Sequence, residues 1–199
     1  MVLKWQKTLV SAMVISALAT ALASCQSKAT DDTFGLTAVP VAAGPSARNR
    51  QILVTEPTAL KSLDSEQVVV RVSNSEIQYL GGSRWSDRLP RLVQSKLVES
   101  FENSGKLGGV GKPGEGLAID FQVLTEIRSF EVQTQGEDIA VVEISAKLLN
   151  DRNGDVRAQK VFRASAPVSG SVNRAFIDAL NRAFGTVSSE IVNWTLKSI

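Results

Sequence analysis

Few residues of this chain are equipped for covalent chemistry. It has no histidine and a single cysteine, Cys25. Without histidine there can be no Ser-His, Cys-His or His-metal arrangement, and a lone thiol supplies neither an intramolecular disulfide nor a cysteine metal site. Ser-x-x-Lys and Gly-x-Ser-x-Gly are both missing, so carboxylate pairs are what remains for acid-base or nucleophilic work. Asp120, Glu126 and Glu143 fall on predicted strands at positions that alternate outward, where solvated charge is the expectation. A phosphate loop at Gly111-Lys112 fails on spacing. It would need a glycine where Lys106 stands and Ser or Thr where Pro113 stands, and it follows a helix instead of a strand. The Gly105 to Gly116 stretch is expected to be a mobile loop, and the chain is not expected to be an enzyme.

Cys25 is the exception, because of what precedes it. Lys4 and Lys7 make a positive n-region, Leu9 to Leu22 an uncharged Ala-rich stretch, and Leu22-Ala23-Ser24-Cys25 matches the lipobox of bacterial lipoprotein signal peptidase. The apolar run is shorter than the roughly 20 residues of a spanning helix and has no basic stop-transfer flank. The chemistry expected at Cys25 is therefore attachment of diacylglycerol to sulfur and of an acyl chain to the new N-terminus, with no other cofactor and no metal. Gln26 follows where an inner-membrane lipoprotein of enterobacteria carries Asp. The expected location is thus the periplasmic side of the envelope, anchored in the outer membrane more than the inner.

The formal charge of +2 comes entirely from Lys4 and Lys7, so the chain from Cys25 onward is balanced, with its charges interspersed. This is not the clustered basic surface of a nucleic-acid binder. Three regions are expected: a signal peptide at 1–24, a lipidated N-terminus and flexible tether at 25–50, and one domain at 51–199. The tether is rich in Ser, Thr, Ala, Gly and Pro, and Phe34-Gly-Leu36 is an apolar island that would pack on the domain as a first strand or dock on a partner.

Within the domain, Gln51–Thr55 and Val68–Val72 read as strands, with Ile77 and Tyr79 extending the second until Gly81-Gly82 ends it. Leu89, Leu92, Val93, Leu97 and Phe101 form a helical stripe, capped by Ser86 or Asp87, with Pro90 in the first turn and Asn103-Ser104-Gly105 as a left-handed stop. Alternation from Leu117 to Arg128 marks a half-buried strand whose phase slips at Ser129-Phe130, implying a bulge before Val132. Ala140–Leu148, a turn at Asn153-Gly154 and Val156–Ala166 continue a meander. Val172, Phe176, Leu180, Phe184, Val187, Ile191 and Trp194 step at helical period to the C-terminus. The expected fold class is α+β: a mostly antiparallel sheet in the order ββαβββα with two helices on one face.

The segment Tyr79-Leu-Gly-Gly-Ser-Arg-Trp85-Ser-Asp-Arg-Leu-Pro90-Arg-Leu-Val-Gln-Ser-Lys-Leu97 resembles the signature of the ABC-type transport auxiliary lipoproteins, the PqiC-like family. Ala140–Leu148, Val161-Phe-Arg-Ala164 and Glu190-Ile-Val-Asn-Trp194 are similar in character and order. The early Tyr-x-Leu element usual in the family is Phe34-Gly-Leu36 here, so no hydroxyl acts at that point. The resemblance implies a non-catalytic periplasmic subunit of a lipid-trafficking ABC system. Its partners would be an MCE-domain (mammalian cell entry) protein, a permease and an ATPase, and homo-oligomers are possible. The membrane is met through the lipid anchor, and nucleic acid is not a partner. Two other roles stand beside it: carriage of a lipid or small apolar ligand between sheet and helices, and assistance in outer-membrane assembly.

For partner contact the candidates are Tyr79, Arg84 and Trp85, since aromatic and arginine side chains are enriched at interface hot spots. Trp85 has an alternative reading as packing at the entrance of the following helix.

Overall fold

The computed structural model describes residues 31–37 and 44–199. The expected signal peptide and Cys25 lie outside the described residues. Among the described residues there are nine strands and two helices: β1 (Asp32–Phe34), β2 (Ala47–Val54), β3 (Thr58–Ala59), β4 (Gln67–Arg71), β5 (Ile77–Trp85), α1 (Leu89–Ser104), β6 (Leu107–Gly111), β7 (Phe121–Gln133), β8 (Ile139–Asn150), β9 (Val156–Pro167) and α2 (Asn173–Ser198).

β7 organises the sheet. Along one side it pairs in turn with β2 through Phe121–Val123, with β3 through Glu126 and Ile127, and with β4 through Glu131–Gln133; β8 runs along the other side. β9 then pairs with β8, β6 with β2, β5 with β4, and β1 with β5. The α+β class stands, but the sheet is mixed where a mostly antiparallel one was expected. β4–β5, β7–β8 and β8–β9 are antiparallel, whereas β1–β5, β2–β6, β2–β7, β3–β7 and β4–β7 are parallel. Parallel pairing needs a crossover, and α1 lies on the one that returns the chain from β5 to pair β6 with β2.

The expected order ββαβββα also missed short strands. β3 is two residues long and has no period to read. β6 falls where a mobile glycine loop was expected, and its glycines are what make it a strand: a Cβ on Gly108 would sit 2.3 Å from the carbonyl oxygen of Arg48. Only a bare backbone approaches β2 so closely. At the other end of that stretch, β7 starts at Phe121, four residues later than the alternation suggested. The supposed single strand from Val68 to Tyr79 is a hairpin, β4–β5, turning through Val72–Glu76.

The phase slip in β7 is a bulge. Ile127 opposes Ile144 and Ser129 opposes Glu143, leaving Arg128 without a partner on β8. Before it Val123 and Ile127 face the helices; after it Phe130 and Val132 do, and all four are essentially inaccessible. α1 buries Leu89, Val93, Leu97 and Phe101, and α2 buries Leu180, Phe184, Val187 and Ile191. Each such side chain contributes about 1.5–3 kcal/mol by leaving water. The helices meet at Ser188, which donates to Ser100 Oγ at 3.2 Å, and Ser100 in turn donates to the Lys96 carbonyl.

α1 stops where expected, with Gly105 at φ 61. Its start differs: Arg88 occupies the cap position and no side chain caps the amides, because Asp87 instead accepts from the Arg88 N–H at 2.7 Å. α2 runs unbroken past Gly185 from Asn173; Val172 precedes it and is exposed.

On the sheet face away from the helices, Glu131 is buried and receives two bonds from Arg71, Nε to Oε1 at 2.6 Å and Nη2 to Oε2 at 2.8 Å, with Gln133 Nε2 adding a third at 3.1 Å. The pairing raises the Arg71 guanidinium above its ordinary value, the hydrogen bond outweighing desolvation. It pins β4 to the end of β7.

Arg71→Met leaves the Glu131 carboxylate buried with only Gln133 and should cost about 3 kcal/mol, whereas Glu131→Gln, which leaves an arginine free to reach water, should cost less. Urea unfolding of the mature protein in detergent distinguishes the two. Gly108→Ala should destabilise by about 1–3 kcal/mol, since the obstacle is backbone rather than a movable side chain; fast amide exchange in β6 and the start of β2 would accompany the loss.

Candidate functional site

The segment that carries the sequence signature is an irregular strand leading into a helix. Across the β4–β5 hairpin, Val69 opposes Tyr79 and Gln67 opposes Arg84, so the chain spends extra residues on the β5 side, with Gly82 at φ 70. Gly82 supplies the positive φ that lets the bulge turn back into the ladder. Gly81-Gly82 therefore does not end the strand, as the sequence suggested, but bends it. α2 grips the bend through its first residue: Asn173 Nδ2 donates to the Gly81 carbonyl and to Ser83 Oγ, both at 2.8 Å.

β1 adds to the outer side of this bent strand in parallel register, Asp32 with Ser83, Thr33 with Arg84 and Phe34 with Trp85. The Ser86 N–H donates to the Phe34 carbonyl at 2.7 Å, and the Trp85 N–H to the Glu66 carbonyl at 2.7 Å. Leu36 is buried in the core. The apolar island is thus a packed first strand, and the folded unit begins at Asp31 rather than at residue 51.

Of the three residues expected to meet a partner, the structure separates one from the other two. Trp85 is 1% exposed and stands edge-on to Phe130, with ring centroids 5.7 Å apart and planes at 87°, while Phe130 continues to Phe184 at 5.9 Å. It belongs to the core. Alternation decides this: Ser83 and Trp85 point inward, so Arg84 between them points out. Arg84 Nε donates to Thr33 Oγ1 at 3.3 Å, and its Nη1 lies 3.6 Å from Glu66 Oε2, with about half of each charged side chain exposed. An ion pair so wet is worth little to stability. Tyr79 is 43% exposed.

Two shallow surface grooves flank the bend. One, of ≈ 330 Å³, is bordered by Asp31, Glu66, Tyr79 and Arg84. The other, of ≈ 620 Å³, lies between β1 and the start of α2, bordered by Asp32, Phe34, Val172 and Arg174. They form one polar, open surface at the point where the chain enters the fold. Asp31 is six positions after Cys25, a reach of at most about 22 Å when fully extended.

The carboxylates considered for chemistry are engaged elsewhere. Asp120 is largely buried, contrary to the wet position expected, accepting from the Gln51 N–H at 3.0 Å and lying 3.4 Å from both Arg50 and Arg152. Glu126 pairs with Arg128 and Glu143 with Arg163. Asp120 sits just before β7, Glu126 and Glu143 lie diagonally across the β7–β8 pair, and each carboxylate is met by an arginine. A ligand chamber between sheet and helices would have to be lined by Phe101, Phe162 and Phe184, all inaccessible within a continuous cluster. The surface depressions bordered by Thr37 and Glu190, by Thr55 and Lys147, by Asp32 and Arg174, and by Asp31 and Arg84 are open to solvent.

A crystal structure of a DUF330 protein from Xanthomonas campestris is similar at 27% identity and TM-score 0.77, covering 84% of this chain and 96% of that one. A hypothetical protein from Chlamydia trachomatis shares the fold at TM-score 0.55 and 11% identity, over 75% of this chain and 97% of that one. An uncharacterized protein of Bradyrhizobium diazoefficiens is 27% identical over 158 residues, which is 78% of this chain but 42% of that longer protein. The family model for the ABC-type transport auxiliary lipoprotein component matches residues 34–192, from β1 to the last turns of α2, and the chain belongs to that family.

Proposed function

We propose that this protein is a non-catalytic, lipid-anchored periplasmic subunit of an MCE-type ABC lipid-transport system, which helps connect or organise the transporter at the cell envelope. The observation that carries this reading is the family match over Phe34–Val192, which spans the folded unit almost completely. The lipobox at Leu22–Cys25 supports it independently. A connector needs surface and position, not a reacting atom.

The short distance from Cys25 to Asp31 gives the anchor a mechanical meaning. With at most about 22 Å of chain, the bent β5 and the start of α2 stay near the bilayer that holds the acyl chains, and the domain is concentrated there for a partner that crosses the periplasm. The long tether expected over 25–50 is not available for this, because Asp32–Phe34 and Ala47–Arg50 are strands of the sheet. Gln26 favours the outer membrane as that bilayer. A filled core weighs against carriage of lipid by the domain itself.

Crosslinking in intact envelopes, with the native chain beside Cys25→Ala, tests the assignment. Mass spectrometry should find a triacylated Cys25 as the mature N-terminus and an MCE-domain protein among the crosslinked partners, with both lost in the variant. An unmodified N-terminus, or no transporter subunit at any crosslinker length, would overturn it. On the surface itself, Arg84→Ala with Tyr79→Ala should leave stability within about 0.5 kcal/mol while reducing partner capture, whereas Trp85→Ala should cost about 3–5 kcal/mol through a core cavity. Thermal unfolding read beside capture separates the two effects.

A further inference from the structure

One long edge of the sheet is left open. Among the described residues β9 pairs with β8 alone, over Val156–Pro167. At 12 residues it is about twice the usual strand length. An edge of this kind directs every second backbone N–H and C=O to solvent and serves as a template for another strand. Its register runs without a break from Ala158 to Pro167, the one shift falling at the start.

The edge is also held in place. Arg157 Nε donates to the Ser198 carbonyl at the end of α2 at 3.3 Å, and Arg182 Nη2 from the same helix donates to the Pro167 carbonyl at 2.6 Å. Both ends of β9 are therefore fastened, and an incoming strand would not have to order it.

Its charge selects what fits. Val156–Pro167 contains Arg157, Lys160 and Arg163 and no acidic residue. Lys160 lies over the Phe162 ring at 5.0 Å on the helix-covered face, while Arg163 lies on the opposite face, 2.8 Å from Glu143. Pairing with a second copy of β9 offers no register in which a cation meets an acid, and antiparallel pairing centred on Lys160 sets Lys160 against Lys160 and Arg157 against Arg163. Like charges directly opposite destabilise a ladder, and opposite charges support it.

We propose that β9 is a docking edge for an extended acidic segment of another protein, which adds a strand through backbone hydrogen bonds and meets Lys160 and Arg163 with carboxylates on alternate faces. The proposal does not depend on the transporter assignment.

The test uses the mature full-length protein in detergent micelles with two probe peptides, a ten-residue strand of Val and Thr with Glu at its fourth and seventh positions, which sets one carboxylate on each face, and the same peptide with Lys for Glu. Amide hydrogen exchange should show alternate β9 amides exchanging fast in the free protein and becoming protected with the Glu peptide. That peptide should bind at least about tenfold tighter than the Lys peptide, less so at high salt. Lys160→Gln should keep the melting temperature and lower the preference; adding Arg163→Gln, which takes the partner from Glu143 and is read beside its own melting temperature, should bring the preference close to one, and Lys160→Glu alone should favour the Lys peptide. Equal affinity for the two probes, protection at β1 or β6 instead, or no binding would overturn the proposal. So would concentration-dependent protection of β9 without peptide, which would assign the edge to a second copy.

Discussion

The fold hangs on β7 and on the one residue by which it is out of register. A 13-residue strand with strict alternation would present one face of apolar side chains, and the two apolar sets of β7 are out of phase: Val123 and Ile127 before Arg128, Phe130 and Val132 after it. In a regular strand the second set would face the solvent side of the sheet, because a slip of one residue exchanges the faces. The bulge at Arg128 restores them to the helix side, where Phe130 stands between Trp85 of β5 and Phe184 of α2. The same stroke places Glu131 on the opposite face, where it is buried and must be neutralised, and Arg71 of β4 does so with two bonds. Strand order, core and buried ion pair are thus linked through a single irregularity.

What lies beside β7 follows from its length. No single neighbour spans its free side, so β2, β3 and β4 share it end to end, and β6 and β5 extend the sheet from the first and the last of them. The extension at β5 carries the bent strand, the first strand of the fold and the start of α2 to one location, where Asn173 bonds the Gly81 carbonyl. That location also holds Asp32–Phe34, the first strand of the described chain. A signature built on Trp85 is consequently a signature of architecture: the tryptophan fills the core beneath a bend whose exposed members are Tyr79 and Arg84.

Asp120, Glu126 and Glu143 are each met by an arginine, and Phe101, Phe162 and Phe184 are all inaccessible within one continuous core cluster. What the domain presents at its surface is geometry: the bent strand β5 beside β1 and a straight, clamped edge at β9.

Much of this was legible in the residues themselves. Period determined both helices and the long strands, since a stripe at helical spacing or an alternation over many residues leaves few alternatives. The bulge in β7 showed as a phase slip, and the left-handed stop of α1 as Gly105. The short elements were not legible, because β1, β3 and β6 hold too few residues to show a period, and in β6 the glycines that signal a loop are there to let β2 approach. Parallel or antiparallel pairing was hidden for a similar reason: a strand's own alternation is the same in either direction, and only the crossover through α1 decides between them. Nor does a residue's type say whether it faces a partner or the core. Trp85 reads as a hot spot and Arg84 as its companion until the pleat of β5 turns one in and the other out, a choice made by three-dimensional packing against Phe130 and invisible in the residues taken one at a time.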